Sequence, residues 1–476
     1  MGWDGDRYPK LPPFRKPQTY LRLGQEADGA STAPPKSSCE TATSRHGFVR
    51  NQSITPQFGM VRLAFSFLAA SFALPSPFLR AEEWSRFRGE SGQGIGRMTH
   101  LPAEFTKADY DWAFKLDGVG HSSPVVWKDQ LFLTISSHDG KERRIEAYDA
   151  ITGKFQWEWC DTFAEHNLHK HNNFASSTPV VTEEGVFAVW GSGDKTEAVG
   201  LSHQGELLWK REWPSFSSDH GFGSSPIASG GSLILHTDSV ADKESKVLGL
   251  DLVTGETRWA VERKTRGEEE KHLTAYNTPT SLKMDGQEMV VVLQTNDGWK
   301  SLDPSTGELL WSHAGDYSMR SVGSIASGEG LLFATFGSGG NGKQATALRP
   351  SKEGPPEVVY ELGIADGLGY VPTPLIHDGV LYLWGDGGVL TCRDAKTGEE
   401  IYRERVGGNF FSSPVIVDGK IACGSRDGEF VMVKLGPKFE IAGRSRLGSG
   451  MNATPAIANN RLYLRTDTHL LCIEGK

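Results

Sequence analysis

The sequence predicts an all-β fold: an eight-bladed β-propeller whose ring is closed by an N-terminal strand that completes the last blade. Three observations predict it. One hairpin motif recurs along the chain, short strand openings of one type return at intervals of 40 to 55 residues, and the eight openings match eight anchors, seven of them aromatic. A supersecondary unit repeated at this period signals a repeat architecture. Abundant glycine (56 residues) and 10% aromatics suit many short strands joined by tight turns.

Taken in order, residues 1–59 are rich in Pro, Ser, Thr and Gly without sustained periodicity, and read as disordered or as a mis-assigned upstream extension. From Met60 a basic start, the apolar run LAFSFLAASFAL (63–74) and a small residue at Ala81 form a secretory signal peptide (60–81), which places the mature chain in the periplasm or outside the cell. The run is too short to span a bilayer, so no transmembrane span is expected. Residues 84–96, WSRFRGESGQGIG, precede the repeats and are expected to pack across the ring and cap strand edges.

The repeats fill the remainder, 82–476. Each opens on a small-Pro step: SSPVV (Pro124), STPVV (Pro179), SSPIA (Pro226), NTPTS (Pro279), PTPLI (Pro374), SSPVI (Pro414) and ATPAI (Pro455), with VGSIA putting Ser324 in the proline's place. An apolar strand follows each opening, then a third strand and a hairpin. The hairpins read AYDAITGKFQW (147–157), GLDLVTGETRW (249–259), SLDPSTGELLW (301–311) and CRDAKTGEEIY (392–402), with a shorter LSHQGELLW ending at Trp209. The Asp can bond backbone donors two residues on, and the Thr-Gly supplies the left-handed turn position. Trp157, Trp209, Trp259, Trp311, Tyr360, Tyr402 and Ile441 are the anchors on outgoing strands. The last unit lacks one, and DYDWAFKL (109–116), carrying Trp112, supplies it and removes the ring's free edges. The fifth and seventh units depart from the hairpin pattern (GPPEVVY, GPKFEIA).

Composition excludes some functions. The formal charge is −9, and the first 81 residues hold ten Lys/Arg against five Asp/Glu, so the repeat region is more acidic still. That argues against general nucleic-acid binding. Five cysteines (39, 160, 392, 423, 472) form no CxxC pair, hence neither a zinc signature nor a disulfide framework; Cys392, Cys423 and Cys472 read as buried thiols.

At this point the chain resembles the pyrroloquinoline-quinone-like (quinoprotein alcohol dehydrogenase-like) eight-bladed propellers, whose docking pattern is Ala-x-Asp-x-x-x-Gly-x-x-x-Trp. Ala147, Asp149, Gly153 and Trp157 match in full; Asp251, Gly255 and Trp259, and Asp303, Gly307 and Trp311, match except at the first position. The resemblance implies the fold over about 82–476. For activity it implies either a quinone-dependent alcohol or sugar dehydrogenase, with pyrroloquinoline quinone and calcium, or a non-catalytic member such as the lipoprotein of the outer-membrane β-barrel assembly machinery. The chain has no adjacent Cys-Cys, no CxxCH, no lipid-attachment cysteine at the end of the signal peptide and no HRD or DFG element.

Candidate site residues lie in the connections from each anchor to the next opening, which rim the channel. Counting back three or four places from each opening gives His121, Phe222, Tyr276, Arg320, Tyr370, Phe410 and Asn452, suited to a flat or sugar-like ligand or an extended peptide, with Arg320 pairing a carboxylate; the other reading is that these aromatics plug the channel. Glu165, His166, His169 and His171 could meet a metal, or simply be solvated loop residues. Glu268-Glu269-Glu270 reads as a solvated loop, Asp219-His220 resembles a general-base pair without a placed nucleophile, and the recurrent serines read as strand-edge hydrogen bonders. The function expected is an exported, non-catalytic scaffold that binds an envelope protein or peptide segment, or a small ligand, on its top face; the alternative is the quinone-dependent dehydrogenase.

Overall fold

The computed structural model describes residues 83–476 except 215, 240–243, 264–273 and 353. The disordered or upstream segment, the signal peptide and the Glu268–Glu270 run lie outside these residues.

Among the described residues thirty-two strands form eight four-stranded antiparallel sheets. Blades 1 to 7 each use four consecutive strands, within residues 125–162, 180–214, 227–262, 280–313, 326–363, 375–405 and 415–446. Blade 8 takes three strands from 456–474 and its outermost from Trp112–Lys115, which pairs with the edge strand His469–Glu474 in the register Trp112↔Cys472. The ring therefore closes as the repeat count requires. Among the described residues there is no α-helix, only two short 3-10 turns.

The recurring hairpin does two jobs. Its aspartate ties down its own turn: Asp149, Asp251, Asp303 and Asp394 each accept the backbone N–H groups two and three residues on, at 2.7–3.1 Å. The turn then receives the anchor of the preceding blade. Trp112, Trp157, Trp209, Trp259 and Tyr360 donate their ring N–H or hydroxyl to the carbonyls of Ala150, His203, Leu252, Pro304 and Ala395, at 2.9–3.3 Å. Each anchor ring also covers the turn glycine: a Cβ on Gly255 or Gly307 would stand 2.5 or 2.7 Å from Trp209 or Trp259. Glycine is required there twice over, because φ is +70° and +75° at these positions. Blades 5 and 7 lack this turn. Accordingly Trp311 Nε1 and the Tyr402 hydroxyl, which face those blades, are buried without a turn carbonyl to bond.

Around the channel the blades are also stitched by hydroxyls. The residue before each proline is Ser or Thr, and seven backbone N–H groups of this ring donate to the hydroxyl of the next blade: Ser123 to Thr178, Thr178 to Ser225, Thr278 to Ser324, Ser324 to Thr373, Thr373 to Ser413, Ser413 to Thr454, and Thr454 back to Ser123, all at 2.9–3.1 Å. This corrects one expectation. Ser324 belongs to the hydroxyl ring, and Ile325 stands in the proline's place ahead of the strand Ala326–Gly328.

The segment before the repeats threads the ring. Trp84 pairs with Val126 of blade 1, Val181 N–H of blade 2 donates to Ser85, and Ile95 pairs with Ile416 of blade 7. Arg88, buried, donates to the carbonyls of Thr373, Pro374 and Pro414 and to Gly92 and Gln93 of its own loop. Met98, Leu101 and Phe105 then bury against blades 7 and 8 before the chain turns into the closing strand. Cys392, Cys423 and Cys472 are buried free thiols.

Candidate functional site

A cavity of about 860 Å³ opens on the face that carries the blade-to-blade connections, and Phe87 of the threading segment forms part of its lining. The alternation of side chains along extended backbone sets which residues line it. The hydroxyl ring, one place before the proline, faces the axis, so the residue three places before it does too. His121, Tyr276 and Asn452 occupy that position, as do Ser176, Gly223, Val322, Val371 and Phe411, and all eight line the cavity. Residues two or four places back point into the blades.

That parity corrects two sequence expectations. Phe222 and Phe410 lie four places back and are buried: Phe222 packs with Phe216, and Phe410 lies edge-on to Trp384. Gly223 and Phe411, one residue on, face the cavity in their stead. Tyr370, though also four places back, and Arg320 do reach it, and they meet each other there. Asp386 accepts the N–H of Tyr370 at 2.8 Å, and Arg320 donates Nε–H to the Tyr370 hydroxyl at 3.3 Å.

The loops between second and third strands add residues that the repeat count alone did not indicate: Asn341 on blade 5, Asp386 on blade 6 and Arg426 on blade 7. Their signal was the Gly- and Asp-rich turn straight after the second apolar strand, as in GDGG (385–388) and SRDG (425–428). The Arg426 guanidinium carbon lies over the Phe411 ring, 4.3 Å from its centroid, with Nη2 3.0 Å from His171 Nδ1. Burial pushes the Asp386 carboxyl up to about 6, against the pull of the Tyr370 and Val371 N–H groups. Burial, with Arg465, Arg426 and His171 nearby, holds His121 down at about 3.

The 165–173 loop leans over this wall. Asn172 donates to the carbonyls of His220 and Phe222, at 2.9 and 3.1 Å, clamping the loop to its neighbour. The rings of His169 and His171, and of His169 and His220, lie 5.3 and 5.1 Å apart, and His220 Nδ1 is 3.3 Å from the Tyr276 hydroxyl. His169, His171 and His220 line the cavity; His166 does not. It is wedged edge-on between Phe174 and Phe216 with neither ring nitrogen hydrogen-bonded. The four residues Glu165, His166, His169 and His171 therefore do not converge, and among the described residues no group of three or more His, Cys, Asp or Glu side chains could hold a metal.

The half-buried His166, its ring nitrogens shut off from solvent, sets a pH dependence. Desolvation, with Arg143 adding to it, holds it down at about 4. A base whose folded value is depressed contributes stability that is present above the unfolded value, near 6.5, and is lost as pH falls from there toward 4. His166→Phe fits the aromatic site and carries no such term. Its stability relative to the parent should rise by up to about 1.4 kcal/mol per pH unit between pH 6.5 and 4, read from urea unfolding at several pH values.

The family model described as outer membrane protein assembly factor BamB matches residues 141–327 and 351–435. The chain belongs to this pyrroloquinoline-quinone-like repeat family. No curated protein matches it. Among solved structures, BamB from Moraxella catarrhalis is 18% identical with a TM-score of 0.54, covering 77% of this chain and 97% of that one. A europium-containing methanol dehydrogenase is 11% identical with a TM-score of 0.62, covering 82% and 98%. A quinohemoprotein alcohol dehydrogenase from Comamonas testosteroni is 13% identical with a TM-score of 0.56, covering 83% and 81%. At these identities the likeness is one of fold.

Family members of the dehydrogenase kind raise the question of a quinone with calcium. The cavity residues do not fit the pair. Calcium takes six to eight oxygen ligands, with carboxylates among them. Among the described lining residues the one acid is Asp386, and both its oxygens already accept backbone N–H groups.

Proposed function

We propose that this chain is an exported, non-catalytic propeller that binds a protein segment or small ligand in the funnel of its top face. One observation carries the reading: a cavity of about 860 Å³ whose wall is a ring of hydroxyls below a rim of aromatic, histidine and arginine side chains. A wall of that kind offers hydrogen bonds and stacking faces in fixed places. Membership of the family described as an assembly factor supports a protein partner. The leader pattern at 60–81 supports export, and no helix among the described residues is long and apolar enough to cross a membrane.

The likeness to two dehydrogenases favours a second reading, a quinone-dependent oxidoreductase. The two separate in one experiment. Purified protein is titrated with pyrroloquinoline quinone and calcium, followed by absorbance and by dye reduction with alcohols and sugars. The expected result is no saturable quinone binding and no turnover; saturable dye reduction overturns the proposal.

A further inference from the structure

Three cations of the funnel, Lys170, Arg320 and Arg426, have no carboxylate within ion-pair distance among the described residues, although all three line the cavity. Elsewhere inward cations either pair with acids, as Arg263 does with Asp238, Arg393 with Asp366 at 3.0 Å and Glu400 at 3.2 Å, and Lys210 with Asp161 at 2.7 Å, or spend their donors on backbone carbonyls, as Arg88 and Arg465 do. Asp386, the acid among the described lining residues, is committed to the backbone of Tyr370 and Val371, and Asp467, which feels the charge of Arg426 without pairing with it, takes the Asn452 amide at 3.0 Å. Below the cations, the seven hydroxyls that accept a backbone N–H each keep their own hydrogen, and they too line the cavity. Unpaired guanidinium groups over a ring of hydroxyl donors form a receptor for oxyanions.

The placement of the cations narrows the ligand. Lys170 lies between blades 1 and 2, Arg320 between blades 4 and 5, and Arg426 on blade 7, each roughly a third of the circumference from the next. One small carboxylate cannot reach all three; an extended chain bearing several can. We infer that the funnel takes an acidic peptide segment laid across its mouth, with carboxylates meeting Arg320 and Arg426. This rests on the proposed top-face binding and names the chemistry of its occupant. Arg426, already stacked on Phe411 and propped by His171, presents its fork pre-positioned.

The probe is fluorescein-labelled decaglutamate, its binding to the whole protein followed by anisotropy at low and physiological salt. Binding should be saturable and weaken with salt. Arg320→Gln and Arg426→Gln should each lower affinity by about tenfold or more, and Arg426→Lys by less, since it keeps the charge and loses the fork. Lys396→Gln, in an exposed hairpin turn remote from the cavity, should leave binding unchanged, and all four variants should unfold at the parent's denaturant midpoint. No binding, or binding indifferent to both arginines, overturns the inference. Citrate competing as tightly as decaglutamate overturns the peptide occupant in favour of a small polycarboxylate. A neutral Gly-Ser decapeptide bound equally well, whatever stands at 320 and 426, overturns the acidic assignment while leaving top-face binding intact.

Discussion

Trp259→Ala is expected to destabilise the protein by about 3–5 kcal/mol, with Trp209→Ala and Trp311→Ala in the same range. The three indoles are 7%, 5% and 3% exposed. Removing one leaves a cavity between two blades that rigid sheets cannot collapse to fill. Trp259 also donates Nε1–H to the Pro304 carbonyl and covers the Gly307 turn, so its loss orphans a carbonyl and uncovers the next hairpin. Trp157, only partly buried, should cost less. A complementary substitution acts from the other side: a Cβ on Gly249 would fall 2.1 Å from Trp259 Cε2, so Gly249→Val should displace the same ring. Urea unfolding measures all of these, and near-neutral changes at Trp209, Trp259 and Trp311 together would contradict docking.

Removing residues 83–117 should have a larger effect. Blade 8 would lose Trp112–Lys115 and leave the edge His469–Glu474 unpaired. The Gly153 turn would lose the Trp112 ring that covers it, and the carbonyls of Thr373, Pro374 and Pro414 would lose the Arg88 guanidinium. A chain starting at Gly118 is expected to lose the cooperative unfolding transition that a chain starting at Glu83 retains, and to associate through its open edge. Equal denaturation profiles for the two would show that closure through this strand contributes nothing.

Much of this was legible in the sequence because the hairpin is a local device. Asp149, Thr152 and Gly153 specify a turn within five residues, and the anchor follows at a fixed strand position, so counting copies sufficed to count blades and to find Trp112 as the missing anchor. The funnel was less legible because its wall depends on parity. Counting three places back from the proline position gives the axis-facing residue in every blade, whereas of the residues four back only Tyr370 reaches the cavity, which is how Phe222 and Phe410 came to be expected at the rim. Ser324 misled for a related reason: blade 5 has no proline, and only the hydrogen bond from Thr278 reveals that Ser324 is the ring hydroxyl and Ile325 the proline equivalent. Asp386 and Arg426 hold the second place in the four-residue turns 385–388 and 425–428, but the corresponding turns of blades 1, 2, 4 and 5 differ in length, so counting repeats does not point to them. Only the closed ring brings Arg426 to His171, 255 positions away in the chain. The path of residues 84–96 was readable as packing across the ring; its carbonyl partners on blades 6 and 7 were not, since any strand end offers carbonyls.

The measurement that bears most directly on the central claim, binding through the top-face funnel, uses Gly223. It lines the cavity, has an ordinary backbone, and a Cβ there would meet nothing within 4 Å, so a photo-reactive side chain fits without disturbing the ring. The comparison position is Ile401, 40% exposed on the outermost strand of blade 6. Irradiated in envelope extract, the protein with the probe at 223 should form discrete cross-linked species that excess Gly223→Trp protein, its funnel filled, cannot compete away; the probe at 401 should form none. Cross-links from 401 alone, or competition by Gly223→Trp equal to that by the parent protein, would contradict binding through the funnel.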